Sequence, residues 1–227
     1  QIKTELWAAF LGIYISEGHA SGTKGGQKRH SIGITQVKQE QKNKIKELLD
    51  QLPFDYFEAS NERQFIINNK DLYNHLEKLG NSSQKHIPDY AKKWSPKLLN
   101  ILLDWLLIGD GKNRHNTKGE LIKEYCTISN KLSEDVLEIM LKIENGATTS
   151  IRIPKDRIIN DYYDIEQEID LGDGTVEIIS ERIKQARLIK SENSQPLHII
   201  HQRTSKGIYL DTRHTNAELI PFNDNVY

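Results

Sequence analysis

Two stretches decide how this chain is read: Phe10-Leu11-Gly12-Ile13-Tyr14-Ile15-Ser16-Glu17-Gly18 and Leu103-Asp104-Trp105-Leu106-Leu107-Ile108-Gly109-Asp110-Gly111. Each is an apolar run that closes in an acid followed by glycine. An apolar helix that ends on a carboxylate, with a glycine after it that lets the chain turn sharply away, delivers one acid to the bottom of a buried helix. Two such helices side by side deliver two. Glu17 and Asp110 stand 93 positions apart, about the length of one small α/β unit, so the architecture reads as a duplication. Either acid–glycine pair alone would signify only a helix end. Both together, one repeat apart, point to a shared site, because a hard cation such as Mg²⁺ takes oxygen ligands and keeps several of its waters.

Outward from the first stretch, Leu6, Phe10 and Ile13 recur on one helical face with Thr4 as N-cap. Ala9, Gly12 and Ser16 form a second stripe of small residues that suits close approach of another helix. Residues 19–30 read as a polar, glycine-rich loop leading into an alternating strand at Ser31–Gln36. A helix is expected over Lys42–Leu52, stopped by Pro53, then strands over Phe54–Ala59 and Gln64–Ile67 and a short helix over Asp71–Leu79 closed by Gly80. Ser95 and Pro96 start the second helix, which is apolar nearly all round and therefore expected to be buried. Beyond it, Glu124–Ser129 reads as a strand, Ser133–Ile143 as a helix with Val136, Leu137, Met140 and Leu141 inward, and Ala147–Ile153 as a strand. Tyr162–Ile169 and Thr175–Ile179 suggest a hairpin turning at Leu171–Gly174. A helical patch over Ser180–Ile189 and paired strands over Leu197–Gln202 and Gly207–Asp211 complete the expectation.

The 227 residues, 37% apolar, suffice for two fused half-domains with a real core. The net charge of −1 gives no argument for any partner, yet its distribution does. Seven basic residues against one acid lie between Ser21 and Lys46, and seven against two between Arg182 and His214. Between them, Lys155–Glu181 holds nine acids and two bases. A basic loop beside Glu17 suits phosphate contacts, whereas the acidic segment would repel them. Cys126 is the single cysteine, which excludes an internal disulfide and fits a reducing, cytoplasmic compartment. The longest apolar run, Leu98–Gly109, is too short to span a bilayer, and the eight histidines show no zinc spacing.

On these residues the chain resembles the LAGLIDADG homing endonucleases, in the form carried inside inteins. Gly12, Glu17 and Gly18 match the third, eighth and ninth motif positions, and Asp110 and Gly111 match the last two of the second copy. Trp105 departs from the pattern, standing where the motif has its helix-packing glycine, and argues against close approach there. The resemblance implies an α+β fold of two pseudo-symmetric αββαββα repeats, residues 1–94 and 95–227, the second bearing the acidic hairpin as an insert. It implies central motif helices and two antiparallel DNA-binding sheets. It further implies a monomeric endonuclease that hydrolyses both strands of duplex DNA at a long asymmetric site with Mg²⁺ or Mn²⁺. The metal falls to Glu17 and Asp110, with Gly18 and Gly111 beside them. Lys85, in Gln84-Lys85-His86-Ile87-Pro88, matches the lysine that such enzymes supply to their active site, where an ammonium can stabilise developing charge or position water. Lys24, Lys28, Arg29, Lys38, Lys112, Arg114, Arg203, Lys206 and Arg213 are the expected DNA contacts. No second active-site lysine can be matched. The closing Asn223-Asp224-Asn225-Val226-Tyr227 resembles the entry into an intein's last splicing block, so flanking splicing segments are expected in the full-length protein. The rival readings are a cleavage-inactive DNA-binding regulator or RNA-splicing maturase on the same scaffold, and an unrelated globular protein.

Overall fold

The computed structural model describes residues 2–24, 27–60, 63–115, 121–143, 146–170 and 176–202. Helix α1, Thr4–Glu17, is the spine of the molecule. Its residues Ala8 to Ile15 are all buried, so the helix is enclosed on every side. Lys3 rather than Thr4 occupies its N-cap position. The chain leaves α1 directly into the hairpin β1, Gly18–Lys24, and β2, Gln27–Thr35. Helix α2, Gln39–Leu49, follows and buries Ile45, Leu48 and Leu49 along one stripe. Strands β3, Tyr56–Glu58, and β4, Gln64–Asn68, complete a sheet of order β1-β2-β4-β3. Asn69 caps α3, Lys70–Leu76, by accepting the Leu72 N–H at 2.9 Å, and a 3₁₀ turn over Glu77–Leu79 ends at Gly80, whose φ of +78° suits glycine.

A short helix α4, Asp89–Lys92, leads to the second motif helix α5, Pro96–Asp110. Its sequel repeats the first half. A hairpin of β5, Gly111–His115, and β6, Leu121–Thr127, is followed by α6, Asn130–Lys142, and β7, Ala147–Arg152. After an insertion of β8, Arg157–Asp170, and β9, Val176–Ile189, strand β10, Leu197–Gln202, closes a sheet of order β5-β6-β10-β7. Both four-stranded sheets thus place the motif hairpin first, then the last strand, then the third, with all neighbours antiparallel. The expected fold class holds.

Trp105 does not hold the motif helices apart, contrary to the expectation from its position. A Cβ on Gly12 would lie 2.6 Å from the Leu102 carbonyl oxygen and 2.8 Å from the Trp105 Cβ, and one on Gly109 would lie 2.3 Å from Ser16 Oγ. The small residue opposite each large one supplies the room. Gly12 accepts the stem of Trp105, whose ring turns to a half-buried position, while Gly109 nests against Ser16.

Other expectations need correction. Residues Ser180–Ile189 are strand, not helix, because they pair residue for residue with β8 in a ribbon that runs from Arg157↔Ile189 to Asp170↔Val176. Continuous ladder bonds outweigh a weak helical period. Strand β10 pairs with β6 and β7; the expected partner, Gly207–Asp211, lies outside the described residues. Helix α6 starts three residues early, capped by Ser129, whose hydroxyl accepts the Leu132 N–H. Its buried stripe is therefore Leu132, Val136, Ile139 and Met140, and Leu141 is exposed. Helix α5 buries only Leu99, Leu102, Leu103 and Leu106; α1, richer in small residues, takes the fully enclosed place.

Candidate functional site

The two motif helices end side by side, and each carries its acid on the last residue before a strand begins. Gly18 and Gly111 are extended, with φ of −92° and −83°, so the conformational freedom of glycine is not what these positions need. Crowding requires them. A Cβ on Gly18 would meet Tyr14 Cδ2 at 2.3 Å, and one on Gly111 the Leu107 carbonyl oxygen at 2.1 Å. The chain can pass from helix to strand in one step only because these residues lack a side chain, and this keeps the acids at the last residues of the two motif helices.

Both acids resist ionisation. Burial pushes the Glu17 carboxyl up to about 7, and the charge of Asp110 pushes in the same direction; the Lys38 ammonium and a 3.3 Å hydrogen bond from Gln36 Nε2 oppose it. Burial raises Asp110 to about 6. Asp110 nevertheless reaches solvent, through a cavity of about 320 Å³ that it lines with Gly18, Lys85, Cys126 and Leu197. Two crowded carboxyls that repel each other form a site short of positive charge. Among the described residues no group of three or more His, Cys, Asp or Glu side chains gathers as a metal cluster. A cation held here would therefore rest on two carboxylates and keep water on its remaining positions, which is the habit of Mg²⁺. The donor set fits.

Lys85 stands on the same cavity. It is 5% exposed, and its Nζ donates to the Tyr14 carbonyl at 3.0 Å while lying 3.7 Å from the Tyr14 ring centroid. Burial lowers its pKa from 10.5 to about 7. No carboxylate among the described residues pairs with it. Its loop is held firmly: the Lys85 N–H donates to the Asn81 carbonyl, its own carbonyl accepts from Ser129 Oγ at 2.6 Å, and the Ile87 N–H donates to the buried Asp135. Lys92 of α4 and Lys131, one turn back on the same helix α6, pair with Asp135, so the lysine loop is anchored to the second half of the molecule.

Three residues have a place at the site that the sequence reading did not assign to them. Gln36 follows β2, is 6% exposed, and accepts the N–H groups of Val37 and Lys38 on its Oε1 while it holds Glu17. It thereby brings Lys38, expected only as a DNA contact, within electrostatic reach of Glu17. Tyr125 is fully buried beneath the acids; among the described residues its hydroxyl has no hydrogen-bond partner, and it feels the charges of both Asp110 and Glu17. His19, packed over Gly33 and 3.3 Å from Gln64 Nε2, has its pKa lowered by burial and by Lys85. Only its place next to Gly18 hints at a role.

Of the expected DNA contacts, Lys38 and Lys112 are exposed beside the two acids. For Lys24, Lys28, Arg29 and Arg114 the backbone is described, in the motif hairpins β1–β2 and β5–β6. Arg203, Lys206 and Arg213 lie outside the described residues. A larger apolar hollow of about 630 Å³, lined by Trp7, Phe54, Leu72, His75 and Tyr90, lies near the opposite end of α1, remote from the acids. No described helix is long and apolar enough to cross a membrane.

No family model matches the sequence. A curated protein that it resembles is the ATP-dependent Clp protease proteolytic subunit of Chlamydomonas moewusii, 28% identical over 163 residues, which span 67% of this chain and 15% of that protein. Among solved structures, I-DmoI bound to DNA and Ca aligns over 88% of this chain and 84% of its own at 10% identity, with a TM-score of 0.50. A doubly substituted form of I-DmoI, bound to its nicked target DNA in the presence of Mn, aligns over 88% and 89% at 12% identity, also with a TM-score of 0.50. With its paired motif helices, duplicated sheets and shared mouth of acids, the chain has the fold of the LAGLIDADG homing endonucleases.

Proposed function

We propose that this chain is a site-specific double-strand DNA endonuclease that uses a divalent cation, Mg²⁺ or Mn²⁺. The observation that carries the reading is the delivery of Glu17 and Asp110 by two adjacent helix ends, with a buried lysine beside them that pairs with no carboxylate among the described residues. Glu17 and Asp110, with Gly18 and Gly111 at the helix ends, would hold the cation, whose chemistry there would be Lewis-acid polarisation of a phosphate and activation of water. Lys85, poised near neutrality, stabilises charge as the bond to the leaving oxygen breaks. Gln36 orients Glu17, and Lys38 supplies a second cation at the rim. Lys24, Lys28, Arg29, Lys112, Arg114, Arg203, Lys206 and Arg213 contact phosphates, while the sheets enter the major groove, which is wide enough for a two-stranded ribbon.

One chain carries both acids, so a monomer suffices, with residues 1–94 and 95–227 as its repeats. The region similar to this chain is a minor part of a much longer protein in Chlamydomonas moewusii, which supports an element carried within a host, as inteins are. Incubating the protein with duplex DNA spanning the element's own insertion site, with Mg²⁺, tests the reading. Cleavage of both strands at one position supports it. Specific binding without cleavage in Mg²⁺ or Mn²⁺ replaces it with the regulator or maturase.

A further inference from the structure

The outer face of the second sheet carries a hydrogen-bonded chain that the cleavage chemistry does not use. Tyr125 and Ile200 are fully buried and point into the core. By strand alternation, Glu124, Cys126, Ile199 and His201 point the other way, and so does Ser150, the register partner of Ile199. Cys126 and Leu197 on this face line the cavity of Asp110, so the face continues directly from the acids. On it, His201 Nδ1 lies 3.0 Å from Glu124 Oε1, and His201 Nε2 lies 3.0 Å from Ser150 Oγ. The three residues come from β6, β10 and β7, brought together by the pairs Glu124↔His201 and Thr148↔His201. Acyl transfer by such a trio would need an enclosed cleft and an oxyanion hole, whereas Ser150 stands exposed on an open strand at the sheet edge.

We infer that Glu124, His201 and Ser150 form a tautomer-locked reader that selects, at one position of a DNA target, a base presenting an amine: adenine or cytosine. The inference rests on the DNA-binding reading and follows from counting protons. A carboxylate can only accept, so the Glu124 contact requires the proton on His201 Nδ1. With one ring proton, placed on Nδ1, only a lone pair remains on Nε2, and the Ser150 hydroxyl donates its single proton there. Ser150 Oγ is left with acceptor capacity alone toward the groove. In the major groove adenine N6 and cytosine N4 are donors, whereas guanine O6 and N7 and thymine O4 are acceptors. A guanine or thymine would face Ser150 lone pair to lone pair. Lys112, the register partner of Glu124 and exposed on the same face, is placed to hold the adjoining phosphate.

The test is selection of binding sites from a randomised duplex library in Ca²⁺, with wild type, Ser150→Ala and Glu124→Gln. Wild type should enrich sites in which one position is restricted to adenine or cytosine, on the order of tenfold over guanine or thymine. Ser150→Ala, an exposed change that should leave the melting temperature unaltered, should lose preference at that position alone. Glu124→Gln can satisfy either tautomer of His201, so it should admit guanine or thymine there as well. A Ser150→Ala profile identical to wild type, or one in which the preference lost is for guanine or thymine, overturns the inference while leaving the endonuclease reading standing. Failure of wild type to enrich any duplex overturns both.

Discussion

Replacing Lys85 by methionine should stabilise the protein while disabling it. The lysine is 5% exposed, has no ion-pair partner among the described residues, and has a pKa lowered from 10.5 to about 7. At 1.36 kcal/mol per tenfold change in proton affinity, holding the charge in this site costs about 4 kcal/mol at pH 7. The Tyr14 carbonyl that it contacts keeps the Gly18 N–H as a donor, so truncation orphans no acceptor, and methionine can lie on the Tyr14 ring in place of the ammonium. Allowing about 1 kcal/mol for the lost hydrogen bond, the variant should gain on the order of 3 kcal/mol, or about 6–12 °C in melting temperature for a chain of this size. The sign with pH follows from a folded-state pKa below the unfolded one. The cost is complete below pH 7 and disappears as pH rises towards 10.5, so the advantage of Lys85→Met should be greatest near pH 6 and small near pH 10. Denaturant melts of both proteins at several pH values measure this, and single-turnover cleavage should show the variant slowed by about 100- to 1000-fold. A destabilised variant, or a gain that does not shrink with rising pH, would refute a buried, unpaired ammonium at this position.

Asp110→Asn keeps the shape of the site but removes a charge that a hard cation needs, so cleavage should collapse while DNA binding in Ca²⁺, measured in parallel, persists through the phosphate contacts. Calorimetric Ca²⁺ affinity should rise as pH increases through the window set by Asp110 at about 6 and Glu17 at about 7, because protons compete for both carboxyls. The same raised values mean that the metal-free fold should lose stability over that rise rather than gain it. Gly12→Ala would drive a methyl to 2.6 Å from the Leu102 carbonyl and should cost about 1–3 kcal/mol by chemical denaturation. Tyr125→Phe removes a buried hydroxyl with no partner and should leave the metal-free protein equally stable or about 1 kcal/mol more stable; a clear loss would mean that the hydroxyl is bonded after all.

Local signals were enough for much of this protein. The apolar runs closing in Glu17-Gly18 and Asp110-Gly111 located both motif helices to within a residue of their ends, and their spacing announced the duplicated sheets, because helix period and chain-terminating chemistry are written in neighbouring residues. Lys85 was singled out by its Lys-His-Ile-Pro context, but its place on the cavity of Asp110 and its burial were not legible there. What local pattern could not reach were features created by residues far apart in the chain. Whether Trp105 separates the helices depends on Gly12, 93 positions away in the sequence, which gives its stem room. The strand state of Ser180–Ile189 depends on pairing with β8, a non-local ladder that overrides local period. Gln36 and the pairing of His201 with Glu124 and Ser150 carry no motif, and nothing local shows that Tyr125 lies beneath the acids, since a side chain becomes part of a site through the distance and burial that packing imposes. Sequence spacing determines which acids exist and on which helix end they ride; only the packed fold sets them side by side, partly shields them from water and so raises their proton affinity.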